Sequence, residues 1–262
     1  MNFWDLLILQ PMTNVLLWIY DIIGHNFGVA IILFTILVRV LTWPLNAQQL
    51  KGAQAMQELQ NDKEWQDIQK KYAKDKEKLA QEQMRIYQER GINPFGSCLP
   101  TLIQFPIIIG LYQAIIRALA TTPLGLLQLG SGIYSFLNVA SIIPLNSKFL
   151  WMDLGRPESV MVFGFALPTL AVIVALTTYV QTKLTMPTTS NPGDQSAAMS
   201  GMMSIYMPLL LGYFALTFAS GLSVYFITSN LLGILQYAMM GKANWRNLLP
   251  GGNKKPVPAR KK

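Results

Sequence analysis

Long apolar runs, not alternating positions, dominate the chain, with charged stretches set between them. A helix that crosses a bilayer needs about 20 mostly apolar residues. Five runs reach that length or come close: 27–46, 97–118, 159–183, 201–219 and 222–240. The last two meet through Ser220-Gly221, as in a tight hairpin. Segments 1–26 and 119–158 are also apolar but are broken by Asp, Pro, Gly, Asn and Ser, which predicts external interfacial helices and loops. Segment 47–93 has no such run. It is rich in Gln, Glu, Lys, Ala and Met, good helix formers, and Met56, Leu59, Trp65, Ile68 and Tyr72 recur along it at mixed three-, four- and six-residue steps. The pattern predicts a helical hairpin that turns near 73–76 and ends at Gly91, in the manner of a C-terminal glycine cap. Residues 184–200 read as a Pro/Ser/Thr-rich loop and 241–262 as a basic tail.

Composition supports a membrane protein: of 262 residues, 52% are hydrophobic and only 13% charged, against roughly 25% charged in soluble domains. Charge placement then orients it. Segment 47–93 carries nine Lys/Arg against eight Asp/Glu, and 241–262 carries seven Lys/Arg and no acid. Segment 1–26 has Asp5 and Asp21 and no base. The positive-inside rule places 47–93 and the tail in the cytoplasm and the N-terminus outside. Five spans satisfy this, whereas a sixth at 124–145 would put the basic tail outside. Arg117 is the exception, a base at the outer end of the second span, and must pair with an acid there or snorkel.

Polar residues inside the runs are unevenly placed. In the first run Thr35, Arg39, Thr42 and Asn46 fall at i, i+4, i+7 and i+11, a stripe roughly 60° wide. Ser97, Thr101 and Gln104 repeat this in the second run. In the fifth, Tyr225, Ser229 and Gln236 share one stripe, Ser223 and Asn230 another. Thr177, Thr178, Gln181 and Thr182 lie late in the third run, Ser204 and Tyr206 early in the fourth. On the five-span topology all of these sit in the cytoplasmic half, while outer stretches such as 28–34 and 107–111 are almost purely aliphatic. A pore needs polarity along its whole length. The pattern describes a wet indentation, open to the cytoplasm and sealed outside.

Arg39 is the costly member. An arginine at mid-bilayer costs about 2.5–3.5 kcal/mol on insertion scales. No Asp or Glu lies in any of the five runs. Two readings stand: Arg39 snorkels or pairs structurally, with the Ser, Thr and Gln residues as interhelical glue, or it faces water, lipid phosphate or an acidic ligand. Catalytic patterns are missing. The sequence holds one histidine, His25, and one cysteine, Cys98. It lacks a phosphate-binding G-x-x-x-x-G-K-[ST] loop and an H-E-x-x-H metal motif. Nothing points to an enzyme or to a cofactor.

Several stretches resemble the YidC/Oxa family of membrane protein insertases, over about residues 8–240. Thr35-Ile-Leu-Val-Arg39 followed by Pro44-Leu45 resembles the family's first core span and its groove arginine. Asn93-Pro-Phe-Gly-Ser-Cys98-Leu-Pro-Thr-Leu-Ile-Gln104-Phe-Pro106 is similar to the start of its second span. Phe149-Leu-Trp-Met-Asp-Leu154 resembles a short external motif, and Gly221-Leu-Ser-Val-Tyr225-Phe-Ile-Thr-Ser-Asn230 resembles the last span. Ala219 and Asn61 stand where the family usually has proline. The resemblance implies an all-α integral membrane protein, with five transmembrane helices around a cytoplasm-open hydrophilic groove and a cytoplasmic helical hairpin, and without the large external domain of some members. It implies a site in the plasma or inner membrane and a substrate groove with Arg39 at its centre, Thr35 one turn away, and Thr42, Thr101, Gln104, Ser229 and Asn230 along it. Tyr225 and Phe226 would sit where a substrate helix slides. It also implies partners: nascent membrane proteins, the lipid bilayer, the ribosome through the basic tail, and a Sec-type translocon beside a protein working as a monomer. A channel or small-solute transporter and a purely structural membrane subunit remain the rivals, separated by solute flux and by insertion activity of the purified protein.

Overall fold

The computed structural model describes residues 3–60, 62–72, 75–92, 99–119, 122–138, 142, 144–162, 165–185 and 195–240. The expectations for Asn61, for 93–98, for most of the 184–200 loop and for the tail 241–262 fall outside these residues. The chain divides into two compact units: Met1–Thr42, Leu102–Thr178 and Pro208–Gly233 in the first, and Trp43–Thr101, Tyr179–Met207 and the residues from Ile234 onward in the second. The described fold is mostly helical.

The first unit opens with a π-helical turn, Asp5–Leu9, that runs into α1, Gln10–Ile22. Gly24 and His25, both at positive φ, turn the chain back. Asn26 then caps α2, Phe27–Leu41, by accepting the Val29 N–H at 3.1 Å. α2 stops at Leu41 because Pro44 lacks an N–H and its ring crowds the carbonyl four residues earlier. The chain continues as α3, Trp43–Gln60, in the second unit. Against α1 and α2 pack α6, Leu99–Ala118, and α10, Ser220–Met239. Leu16, Leu17, Phe27, Ala30, Ile31, Leu111 and Ile115 are wholly buried there.

The N-terminal segment is therefore no free surface helix. One face lies in the core. The Trp4 indole donates to Gln113 at 2.7 Å, and Asp5 pairs with Arg117 at 2.7 Å, which gives that outer arginine an acidic partner. Gly110 lets Ile8 and Met12 approach the α6 backbone; a Cβ there would meet both at under 3 Å. The opposite face, with Phe3, Leu7, Trp18 and Ile22, is exposed.

α7, Pro123–Gly132, follows α6 and is capped by Thr122. Next come two antiparallel two-stranded ribbons: β1, Lys148–Phe149, with β2, Met152–Asp153, and β3, Val160–Val162, with β4, Phe165–Leu167. The helix expected over 159–183 is shorter than that: α8 runs Thr169–Thr185. Pro168 sets this limit. It cannot donate within a helix, and it holds the residue before it extended, so the β-branched stretch ahead of it pairs as strands. α9, Gln195–Thr217, carries an apolar exposed stripe of Ile205, Leu209, Tyr213 and Leu216. In water such a stripe would be a liability; in lipid it faces its solvent. Among the described residues α10 alone has both the length and the hydropathy to cross a membrane, while α2 and Ser204–Thr217 are apolar but shorter.

In the second unit α4, Lys63–Lys71, and α5, Lys76–Glu89, form the hairpin predicted from the sequence. Asp62 caps α4 through the Glu64 N–H, and Asp75 caps α5 through the Lys78 N–H. Gly91, at φ +63°, ends α5. Its N–H reaches the Gln88 carbonyl and the Ile92 N–H reaches that of Tyr87, the paired bonds of a Schellman turn. Leu59, Trp65 and Ile86 form a small buried core, with Ile68, Tyr87 and Ile92 around it. The Trp65 indole N–H is buried without an acceptor among the described residues, so its contribution is packing. Trp65→Ala should destabilise the hairpin by about 3–5 kcal/mol, read as accelerated amide exchange over 59–92, whereas Trp65→Phe should cost much less. Equal losses for the two variants would show that the indole N–H matters after all.

Candidate functional site

Within the first unit three helices bring polar side chains to one place. Arg39 sits in the last turn of α2, where a cation is favoured by the helix dipole. Its Nε donates to Ser229 Oγ at 3.0 Å, and one terminal nitrogen donates to the same Oγ at 2.6 Å and to the Ser229 carbonyl at 2.7 Å. Beside it, the Gln104 amide of α6 donates to the Tyr225 hydroxyl of α10. Tyr225 and Ser229 are one turn apart on α10. α2 and α6 are thus each tied to α10 by a polar pair, Arg39–Ser229 and Gln104–Tyr225.

The charge is held but not neutralised. Guanidinium has five N–H donors and no acceptor, and Ser229 supplies a hydroxyl and a carbonyl, both neutral. Among the described residues no carboxylate lies within ion-pair distance of Arg39; their ion pairs involve Arg85, Arg90, Arg117 and Lys78. No group of metal-ligating side chains occurs among them either. What the arrangement can do is present a fixed positive charge, half-buried, to an anionic visitor.

The other residues expected in the site divide by what their polar atoms touch. Thr35 is wholly buried, and its hydroxyl donates to the Ile31 carbonyl of its own helix at 2.6 Å. Thr42 likewise donates to the Val38 carbonyl at 2.8 Å, at the end of α2. Asn230, one residue past Ser229, points elsewhere: its amide donates to Thr177 at 3.0 Å and to Thr178 at 2.9 Å, tying α10 to α8. Phe226 is buried in the apolar core beside the Tyr225 ring, at 5.7 Å between centroids. Thr101 lies on α6, but its side chain is outside the described residues. The two threonines that receive Asn230 belong to the late polar group of the third run, so composition marked them; the partner could not be read from spacing.

A family model described as 60Kd inner membrane protein matches residues 18–246. The chain is 34% identical to membrane protein insertase MisCA of Bacillus subtilis (strain 168), covering 97% of this chain and 87% of that protein. It is 35% identical to membrane protein insertase YidC 2 of Listeria innocua, covering 90% and 71%. Among solved structures it resembles the crystal structure of an active YidC insertase with its first transmembrane domain resolved, at 27% identity and a TM-score of 0.55. The likeness covers 91% of this chain and about half, 47%, of that one.

The two kinds of polar contact separate by mutation. Asn230→Ala removes two interhelical bonds, each worth about 0.6 kcal/mol on average in membrane helices. The variant should lose about 1–2 kcal/mol in a denaturation titration while the Arg39–Ser229 contact persists. A larger loss, or a released Arg39, would merge the two clusters into one.

Proposed function

Because the chain belongs to the 60Kd inner membrane protein family, the YidC-type membrane protein insertases, we propose that it takes the polar tail of a nascent membrane protein into a positively charged groove and releases the following apolar segment into lipid. The family is not an enzyme family, and its members act at the membrane. The observation that carries the finer reading is the Arg39 guanidinium, anchored on Ser229 with no carboxylate beside it among the described residues.

The mechanism follows from where free energy is lost and gained. An acidic tail loses heavily if it leaves water for hydrocarbon. A groove open to the cytoplasm lets the tail keep part of its hydration while Arg39 attracts its carboxylates by charge-assisted bonds from the terminal nitrogen that Ser229 does not engage. Gln104, Thr101 and Thr42 extend hydrogen bonding along the groove. Ser229 holds the guanidinium toward the tail, while Asn230 ties α10 to α8. The apolar segment then moves past Tyr225 and Phe226 into lipid. Burial of its surface at roughly 25 cal/mol per Å² drives the step. The membrane potential helps acidic tails outward by about 2.3 kcal/mol per charge per 100 mV. No nucleotide is consumed.

On this reading five segments cross the membrane, 27–46, 97–118, 159–183, 201–219 and 222–240, the third of them through α8, Thr169–Thr185. The N-terminus is outside, the basic tail inside, and the helices enclose a groove closed to the outside. The hairpin 47–93 admits substrate, and the tail 241–262 attracts ribosomal RNA through its Lys and Arg. The protein chaperones its substrates and works as a monomer, alone or with a Sec-type translocon.

Arg39→Ala in proteoliposomes should cut insertion of a single-span substrate with an acidic tail by on the order of tenfold, equivalent to about 1.4 kcal/mol. A neutral-tailed substrate should be little affected, and Arg39→Lys, which keeps the charge but not the planar fork, should fall between. Undiminished insertion of the acidic-tailed substrate would remove the charge from the mechanism.

A further inference from the structure

The motif Phe149-Leu-Trp-Met-Asp-Leu154 and the residues after it contribute nothing to the charged cluster, yet they fasten the ends of several helices. The Phe149 ring lies against Gly28, the second residue of α2, in the volume that a side chain there would need. The carbonyls of Leu154 and Arg156 accept the N–H groups of Gly221 and Ser220 at 3.0 and 2.8 Å, and the Ser220 hydroxyl also donates to the Arg156 carbonyl at 2.6 Å. These are the first donors of α10, which its own helix leaves without acceptors. Glu158, buried, does the same for α8: its carboxylate accepts the Leu170 N–H at 3.1 Å, the Thr169 hydroxyl at 2.6 Å and the Trp151 indole N–H at 3.2 Å. At the other end of the loop the Asn146 N–H donates to the Tyr20 hydroxyl of α1 at 3.0 Å.

We infer that the loop 146–158 is a positioning clamp that sets the axial register of α10 and α8 against α2, and so holds Ser229 opposite Arg39. This rests on the groove reading above. From Gly28 to Arg39 is about 16 Å of helix, and from Ser220 to Ser229 about 13 Å, at 1.5 Å per residue. A slip of one residue moves a side chain by about 1.5 Å and turns it by about 100°, enough to break both bonds to the Ser229 hydroxyl. The aliphatic contacts between the helices fix no such register, because apolar packing tolerates re-registering better than directional hydrogen bonds do. Beyond the side-chain bonds of Gln104 and Asn230, the clamp adds directional contacts at the helix starts: a ring seated on a residue without a side chain, a carboxylate on one helix start, and two carbonyls on another. Phe149 and Glu158 are positioning residues. They touch no substrate in the proposed reaction.

The test uses the full chain in lipid nanodiscs with 15N-labelled arginine. It follows proton exchange at Arg39 Nε together with amide exchange at Leu170, Ser220 and Gly221. In the unaltered protein all of these should be protected. Gly28→Leu, which evicts the Phe149 ring, and Glu158→Ala should speed exchange at both the helix starts and Arg39 Nε by at least tenfold. Ser220→Ala should do so more weakly, and Glu158→Gln should restore most of the protection because its carbonyl oxygen still accepts the Leu170 N–H. Helix-start amides that stay protected in Glu158→Ala and Ser220→Ala would overturn the clamp. So would amides that open while Arg39 Nε stays protected. Should Gly28→Leu fail to fold, the Glu158 and Ser220 variants decide. No substrate enters the measurement, so a failure of the insertase reading would show in the insertion assay and leave this outcome unaffected.

Discussion

A guanidinium placed among apolar helices must find acceptors, because it cannot shed its charge and its N–H groups cannot go unbonded at low dielectric. Arg39 meets part of this demand through one residue of another helix, Ser229, which offers hydroxyl and carbonyl to Nε and one terminal nitrogen. The rest of the first unit is arranged so that the two can meet. α2 ends two residues beyond Arg39, which keeps the charge near a helix terminus. Phe27, Ala30 and Ile31 of α2 and Leu222 of α10 lie in one apolar core with Leu111 and Ile115 of α6. The contacts are neutral: Ser229 offers a hydroxyl and a carbonyl, so the positive charge of Arg39 is held without being cancelled.

The polar residues of the helices do three different jobs. Thr35, Thr42 and Thr228 bond carbonyls of their own helices. Asn230 joins α10 to α8 through two threonines. Ser229 holds the charge of α2, and Tyr225 receives Gln104 of α6. Residues 229 and 230 are adjacent yet serve different neighbours, because successive helix positions point about 100° apart. A short polar stretch on one helix can therefore hold the Arg39 guanidinium on one side and bond a neighbouring helix on the other.

Backbone chemistry at the helix ends limits the architecture as much as side-chain packing does. Pro44 ends α2, Pro168 delays α8, and Gly91 closes α5. Each acts by what it lacks: an N–H in the prolines, a Cβ in the glycine. The starts of α8 and α10 find acceptors in the loop 146–158 and not in side chains of their own first turns.

Much of this was readable from the chain itself. Apolar run length marked a lipid-facing protein, the uneven placement of Thr, Ser and Gln marked one polar end, and the absence of acids from the runs marked Arg39 as a charge without a counter-ion. The Gly91 cap belongs to the same class, since a cap depends on neighbours within a few residues. Tertiary structure alone decided the pairings: that Ser229 receives Arg39, that Asn230 turns to Thr177 and Thr178, that Arg117 meets Asp5, and that the N-terminal segment joins the core. It also shortened the third apolar helix in favour of a strand pair. The reason is physical. Periodicity states which face of a helix is polar, but a polar face in lipid bonds whichever partner packing brings within 3 Å, and that partner lies 50 to 190 residues away.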